Sequence, residues 1–141
     1  MNPLSLAQAR TVVDAALAEA RTQAFKPMGI VVVDAAAQVV VSAREDGASA
    51  LRLDIALGKA AAAIGMGASS RVLTQRAKDL PAFFGAVAAV AQQKFIPQTG
   101  AVLIKSGDGS VIGAAGASGG TGDEDEQIVI AGIAAAGLSH G

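Results

Sequence analysis

The sequence predicts an α+β fold in which a mostly antiparallel sheet is flanked by helices. Two pairs of short, apolar or β-branched segments are each joined by a tight turn, which is typical of β-hairpins rather than of alternating strand–helix units. Helical signals precede, separate and follow the two hairpins. The chain has 141 residues, enough for one proper core. We therefore expect residues 1–141 to form a single domain.

The first helix and the first hairpin are predicted in the N-terminal third. Ser5 and Gln8 have capping-box spacing, and apolar residues then recur every three or four positions, so a helix is expected from about residue 6 to 24. The apolar run 30–33 indicates a buried strand. Residues 34–38 form a turn, and residues 39–44 return as the second strand of the hairpin.

The middle of the chain is predicted to be helical. Ser49 can cap a helix from about residue 50 to 66, which is apolar nearly all round and should be buried. Residues 69–93 are expected to form further short helices, broken at Pro81 and Gly85.

The second hairpin is predicted from residue 101 to 117. Residues 101–105 and 110–117 have strand composition, and Ser-Gly-Asp-Gly at 106–109 forms the turn between them. The last helix is expected from about residue 123 to 136, after a glycine-rich loop. Thr121 and Glu124 again have capping-box spacing at its start.

The composition limits the function classes. Hydrophobic residues make up 52% of the chain and charged residues only 16%, against roughly 25% charged in a typical soluble domain. We expect some of this apolar surface to lie between subunits, hence a homo-oligomer. A net charge of −1, no basic run and four aromatic residues argue against nucleic-acid binding.

Cysteine and leader signals are missing from the sequence. The chain has no cysteine, which excludes disulfides, thiolate zinc sites and iron–sulfur clusters. No segment reaches the ~20 apolar residues of a membrane helix, and no signal peptide is recognised. A cytoplasmic protein without a membrane partner is expected.

The glycine-rich loop at 118–120 is the first candidate ligand site. Ser118, Gly119 and Gly120 follow a strand that itself contains glycines, which usually marks close approach by a ligand or another backbone. The loop lacks the endings of a P-loop or a dinucleotide fold. We expect it to shape a pocket wall rather than to cradle phosphate.

Residues 116–120 also fit G-x-S-x-G, but the only histidine, His140, is the penultimate residue, so a nucleophilic Ser118 has no evident base.

Lys59 is the second candidate, because it is the only charge between residues 55 and 70. A buried ammonium needs a partner. Lys59 could bind an anionic ligand, act as a base, or pair with Asp46, Asp125 or Glu126. The alternative is that its stem is buried while its ammonium group reaches the surface.

Two further groups complete the candidate residues. Arg44 and Asp46 end a strand just before the buried helix, where Arg44 could hold a carboxylate through its planar guanidinium. The acidic run 123–126 could bind a hard cation. Favourable electrostatics at a helix start explains it better, so no metal site is predicted, although Asp125 or Glu126 could turn inward toward the glycine loop.

As an ordered set these motifs resemble the GlcG/HbpS family of haem-degrading or haem-binding domains, which includes the C-terminal domain of PduO-type proteins. The match spans nearly the whole chain and keeps the family order. The residues that carry it are Ile30-Val31-Val32-Val33-Asp34, Arg44-x-Asp46-Gly47-Ala48, Ala56-x-x-Lys59-Ala60, Asp108-Gly109 with Val111-Ile112-Gly113, Gly116-x-Ser118-Gly119-Gly120, and Asp125-Glu126.

The resemblance implies a profilin-like or three-layer arrangement, a homo-oligomer, and a small-molecule pocket near the R-x-D-G, lysine and S-G-G elements. Haem is the cofactor that it suggests. The chain offers no convincing axial ligand, since the remaining candidates are Met1, Met28, Met66, Lys59 and the terminal His140.

The leading hypothesis is an oligomeric small-molecule-binding accessory protein, with haem or another tetrapyrrole as the suggested ligand. The alternative is a small catabolic enzyme, such as an isomerase, hydratase or decarboxylase. There Arg44 would orient a substrate carboxylate, Lys59 or Glu126 would move a proton, and the amides of residues 118–120 would stabilise negative charge. A third hypothesis is a purely structural or regulatory protein.

Overall fold

The computed structural model describes residues 3–92 and 94–141. The helices and strands follow one another as α1 (Leu6–Thr22), β1 (Gly29–Asp34), β2 (Val39–Arg44), α2 (Arg52–Met66), α3 (Ser70–Asp79), α4 (Pro81–Val90), β3 (Ala101–Lys105), β4 (Val111–Ser118), α5 (Gly122–Ala135) and β5 (Ser139–His140). Among these residues no helix combines the length and the apolarity that crossing a membrane requires.

The strands form one five-stranded antiparallel sheet in the order β2-β1-β4-β3-β5. The two predicted hairpins lie side by side because β1 also pairs with β4, with Gly29 opposite Ser118 and Asp34 opposite Gly113. The predicted α+β class with an antiparallel sheet is thus confirmed. The two-residue strand β5 was not predicted, since two residues carry no periodic pattern.

Helices cover both faces of the sheet. Side chains such as Ile30 and Val32 pack with α1 and α5 on one face, whereas Val31 and Val33 pack with α2 on the other. A third cluster, which includes Leu73, joins α2 to α3 and α4. This alternation follows the two-residue period of strand side chains, and it gives the layers that bury an apolar sheet on both sides.

Most predicted boundaries agree with the structure within two residues, and both capping boxes are present. Ser5 and Gln8 cap α1 reciprocally, and Thr121 and Glu124 do the same for α5. The predicted cap of α2 is wrong. The residue before its first turn is Leu51, which makes no side-chain capping hydrogen bond.

The predicted break at Gly85 is also wrong, because Gly85 lies inside α4. One glycine costs a helix about 1 kcal/mol relative to alanine, which its helix-forming neighbours offset. Pro81 does separate two helices, as the first residue of α4, where its missing N–H costs no hydrogen bond.

Candidate functional site

A buried ion pair joins α2 to α5 at one end of the sheet. The ammonium of Lys59 lies 2.9 Å from Oδ2 of Asp125 and 3.0 Å from the carbonyl oxygen of Ala117. The other carboxylate oxygen of Asp125 accepts a hydrogen bond from the backbone N–H of Gly120. Of the partners considered for Lys59, the structure selects Asp125. Asp125 is also the acid that turns inward.

Burial controls the electrostatics of this pair. Lys59 is 5% exposed and Asp125 only 1%. Burial raises the pKa of Asp125 above its usual value, although the charge and hydrogen bond of Lys59 and the N–H of Gly120 pull it down. The charged form of Asp125 therefore depends on Lys59 and Gly120 staying beside it.

Arg52, the first residue of α2, lies near the ion pair at the same end of the sheet. Its Nη1 donates to Oγ of Ser118 at 3.1 Å. The first turn of α2 lies directly over Gly29, where an added Cβ would lie 2.9 Å from the carbonyl carbon of Arg52. A side chain at position 29 would push the helix away, so this glycine permits the close approach that positions Arg52.

An open cavity of about 410 Å³ lies between these residues, within the usual size range of small-molecule sites. Lys59, Asp125, Ser118 and Arg52 line its polar side. The remaining lining residues come from the segment before β3, the start of α5 and one turn of α2: Ile55, Ile96, Gln98, Thr99, Gly120, Thr121, Gly122 and Asp123. We call this space the Arg52 cavity.

The structure does not bring Arg44 and Asp46 into the Arg52 cavity. Both are exposed and line a separate depression of about 450 Å³ with Arg21, Pro27 and Glu45. Arg44 is two strands from Ser118, with Gly29 between them in register, and its Nη1 donates to the carbonyl oxygen of Ala48. The cavity arginine is therefore Arg52, at the start of α2, and not the expected Arg44, at the end of β2.

The two loop glycines have different positions. Gly120 lines the Arg52 cavity and donates its N–H to Asp125. Gly119 is buried against the backbone of Pro27 and Met28, and a Cβ there would collide with the carbonyl oxygen of Pro27. Gly119 thus serves close packing between chain segments, whereas Gly120 contributes to the site.

Glu126 lies outside the cavity. Its carboxylate bonds the guanidinium of Arg71, which also contacts Asp123. The hydrogen bonds with Glu126 and Asp123 raise the pKa of Arg71. Pairing with Arg71 thus accounts for two of the four acids at 123–126. The helix dipole favours negative charge at this position, the start of α5.

The single histidine of the chain lies far from Ser118. His140 pairs with Ile104, and Ile104 pairs with Gly113, five residues from Ser118 along β4, or about 16 Å at the rise of a strand. The Oγ of Ser118 instead accepts from Arg52. His140 therefore cannot act as a base for Ser118.

Arg52, Gln98 and Thr99 were not predicted from the sequence. Arg52 had a readable signal, because a cation in the first turn of a helix opposes the helix dipole and needs a reason. Gln98 and Thr99 lie in an irregular segment whose position depends on how α2 packs on the sheet, and no local pattern could place them.

An α+β fold with an antiparallel sheet covered on both faces, and a polar cavity beside the start of α2, defines the structural class. A family model described as haem degrading protein HbpS-like matches residues 4–134. The chain therefore belongs to the HbpS-like family. No curated protein matches the sequence.

Solved structures agree with this assignment. The crystal structure of a PduOC–haem complex matches with a TM-score of 0.87 and 26% identity, covering 98% of both chains. A double mutant of HbpS from Streptomyces reticuli matches with a TM-score of 0.82 and 26% identity, covering 95% of this chain and 87% of that one. The protein ORFY of Klebsiella pneumoniae matches with a TM-score of 0.86 and 25% identity, covering 97% and 92%.

Proposed function

We propose that this protein binds a small organic molecule in the Arg52 cavity and acts as a homo-oligomer in the cytoplasm. The observation that carries the proposal is a cavity of about 410 Å³ that combines a buried ion pair, an arginine and an apolar wall formed by Ile55 and Ile96. Small-molecule sites combine an apolar lining with a few placed polar groups in this way.

A tetrapyrrole is the first ligand to test, because a neighbour of similar fold was solved as a haem complex. The residues present do not fit coordination of its iron. Among the described residues, no methionine or histidine lines the cavity. Met28 is fully buried in the core and Met66 lies in the third cluster, while Met1 is outside the described residues. Lys59 is held by Asp125 and Ala117. A tetrapyrrole here would be held by its periphery, without an iron–protein bond.

Titration with haemin and with iron-free protoporphyrin IX tests this binding mode. We expect both to bind saturably with similar affinity, followed by the Soret band for haemin and by fluorescence for protoporphyrin. A sharp six-coordinate haem spectrum with no binding of protoporphyrin would show that the protein supplies an iron ligand and would contradict the proposal. If neither porphyrin binds, and none of the small acids tested below binds, the cavity is not a binding site.

The proposed oligomer rests on α4. This helix contains no charged residue, and within and beside it Leu80 and Phe83 are each 55% exposed and Val90 is 84% exposed. An apolar helix left this open is typical of a surface that another protein covers. A second copy of the chain is the partner we propose, in keeping with the low charge of the whole sequence.

Catalysis is the second candidate function, favoured by the raised pKa of Asp125 in the cavity wall beside Lys59. A carboxyl with a raised pKa can serve as a general acid or base. An isomerase, hydratase or decarboxylase acting on a small carboxylate would use this pair, with Arg52 in the role first given to Arg44. Conversion of a panel of small carboxylic acids, followed by ¹H NMR, tests it. If none of the acids that bind is converted to a product, binding remains as the function.

A further inference from the structure

We infer that Arg52 is the residue that selects the ligand, by pairing with a carboxylate at the mouth of the cavity. The inference deepens the proposed function and rests on it. Arg52 is half-buried, lines the cavity and is held by one hydrogen bond to Ser118. A guanidinium has five N–H donors in a planar arrangement, so most of its donors remain for a ligand.

Arg52 has no ion-pair partner among the described charged residues that line the cavity. Lys59 pairs with Asp125, and Asp123 pairs with Arg71. In the part of the chain that the structure describes, Arg52 forms no ion pair with any carboxylate. The four charged lining residues, Arg52, Lys59, Asp123 and Asp125, sum to zero, but Arg52 is the one of these described residues without an ion-pair partner, and a bound anion would supply that partner.

The position of Arg52 in α2 points the same way. It is the first residue of the helix, where the helix dipole disfavours a positive charge. The one acid in the first turn, Asp54, is two residues away, and residues at that spacing do not face each other on a helix. The cost of a cation at this place is offset when an anion binds both the guanidinium and the end of the dipole.

The inferred ligand is a carboxylate attached to an apolar body. Arginine binds a carboxylate through two parallel hydrogen bonds. Ser118 accepts a hydrogen bond from one N–H of the guanidinium, which restricts its rotation and leaves the other donors for the ligand. Ile55 and Ile96 line the same cavity and offer an apolar contact for the rest of the ligand. The carboxylate has two sources, the propionate of a tetrapyrrole or a free small acid such as an aromatic carboxylate.

Matched ligands separate these sources. Haemin is compared with its dimethyl ester, which lacks the charged propionates, and benzoate is compared with benzamide, its neutral analogue. We expect wild-type protein to bind the acid of at least one pair about 10- to 100-fold more tightly than its neutral partner, as charge-assisted hydrogen bonds predict. The pair that shows the difference identifies the source.

Variants locate the effect. Arg52→Gln should lower the affinity for the acid to that for the neutral partner, and Arg52→Lys should recover part of the loss, because lysine keeps the charge without the planar donor set. Arg10→Gln is the matched control, since Arg10 is exposed on α1. Circular dichroism confirms that each variant is folded.

Two outcomes overturn the inference, and they can be told apart. If the acids bind wild type and Arg52→Gln equally, or if neither acid binds wild type more tightly than its neutral partner, the cavity binds a ligand but Arg52 does not select it. If no compound of either pair binds wild type, the proposed function fails together with the inference.

Discussion

At the scale of single residues, the sequence identified half of the Lys59–Asp125 pair. A lone lysine in an apolar helix predicts a buried charge that needs a partner, and this pattern identifies Lys59. Its partner could not be chosen, because Asp46, Asp125 and Glu126 are all acids near a predicted turn. The choice depends on how α2 crosses the sheet toward α5, which is tertiary information.

Replacing Lys59 with methionine should destabilise the protein in a pH-dependent way. Removing one partner of a buried ion pair costs about 3–5 kcal/mol, and it also removes the contacts that lower the pKa of Asp125. That pKa, already raised in the wild type, should rise further. A carboxyl with a raised native pKa contributes stability below its unfolded value and loses it as the pH rises through the native value.

The deficit of Lys59→Met relative to wild type should therefore widen from pH 4 to pH 7. Urea denaturation at several pH values measures it, and the carboxyl ¹³C shift of Asp125 reports its pKa directly. Lys26→Met, at an exposed lysine, is the control. A deficit that is the same at pH 4 and pH 7 would mean that the charge of Asp125 does not depend on Lys59.

At the scale of helices and strands, local signals predicted most boundaries, because caps and hairpin turns are set by neighbouring residues. Both capping boxes were read correctly. The start of α2 was not, because Ser49 precedes a turn that delays the helix to Arg52. Arg52 lies in the first turn of the helix with either start, so this error did not conceal the cation; its role depends on the cavity, which only the tertiary structure shows.

The packing of α1 on α5 depends on Gly132. A Cβ at this position would collide with the carbonyl oxygen of Val12, so Gly132→Ala should destabilise the protein by about 1–3 kcal/mol through overpacking. Thermal or urea denaturation measures the change.

Gly65→Ala is the matched control, because Gly65 also lies within a helix and nothing lies within 4 Å of its added Cβ. It should stabilise the protein by about 0.5–1 kcal/mol. Equal effects of the two alanines would show that α1 and α5 can separate without cost.

At the scale of the whole molecule, the low charge of the sequence predicted apolar surface in excess of one core, and α4 carries much of it. The sequence could not show that α4 lies on the outside, because an all-apolar helix is usually a buried one. Its position follows from the layers: α2 covers the sheet, and α3 and α4 pack beyond α2.

A charge on α4 should weaken self-association. Phe83→Glu places a carboxylate in the exposed apolar surface, so the molar mass from light scattering should fall toward that of the single chain, 13.8 kDa. Leu6→Glu is the control, since Leu6 is also 50% exposed but lies on α1. An unchanged mass for Phe83→Glu would exclude α4 as the contact.

The two borders of the sheet are not equivalent. Along β3, the N–H of Leu103 donates to Ser69, its carbonyl oxygen accepts from Gly141, and β5 pairs with the end of the strand. Along β2, the residues Val39–Arg44 form an outer strand with apolar side chains. Each molecule thus offers one border to a further strand. Edge-to-edge addition of folded molecules through β2 would therefore stop at a pair, because growth into a fibre needs two free borders on every molecule.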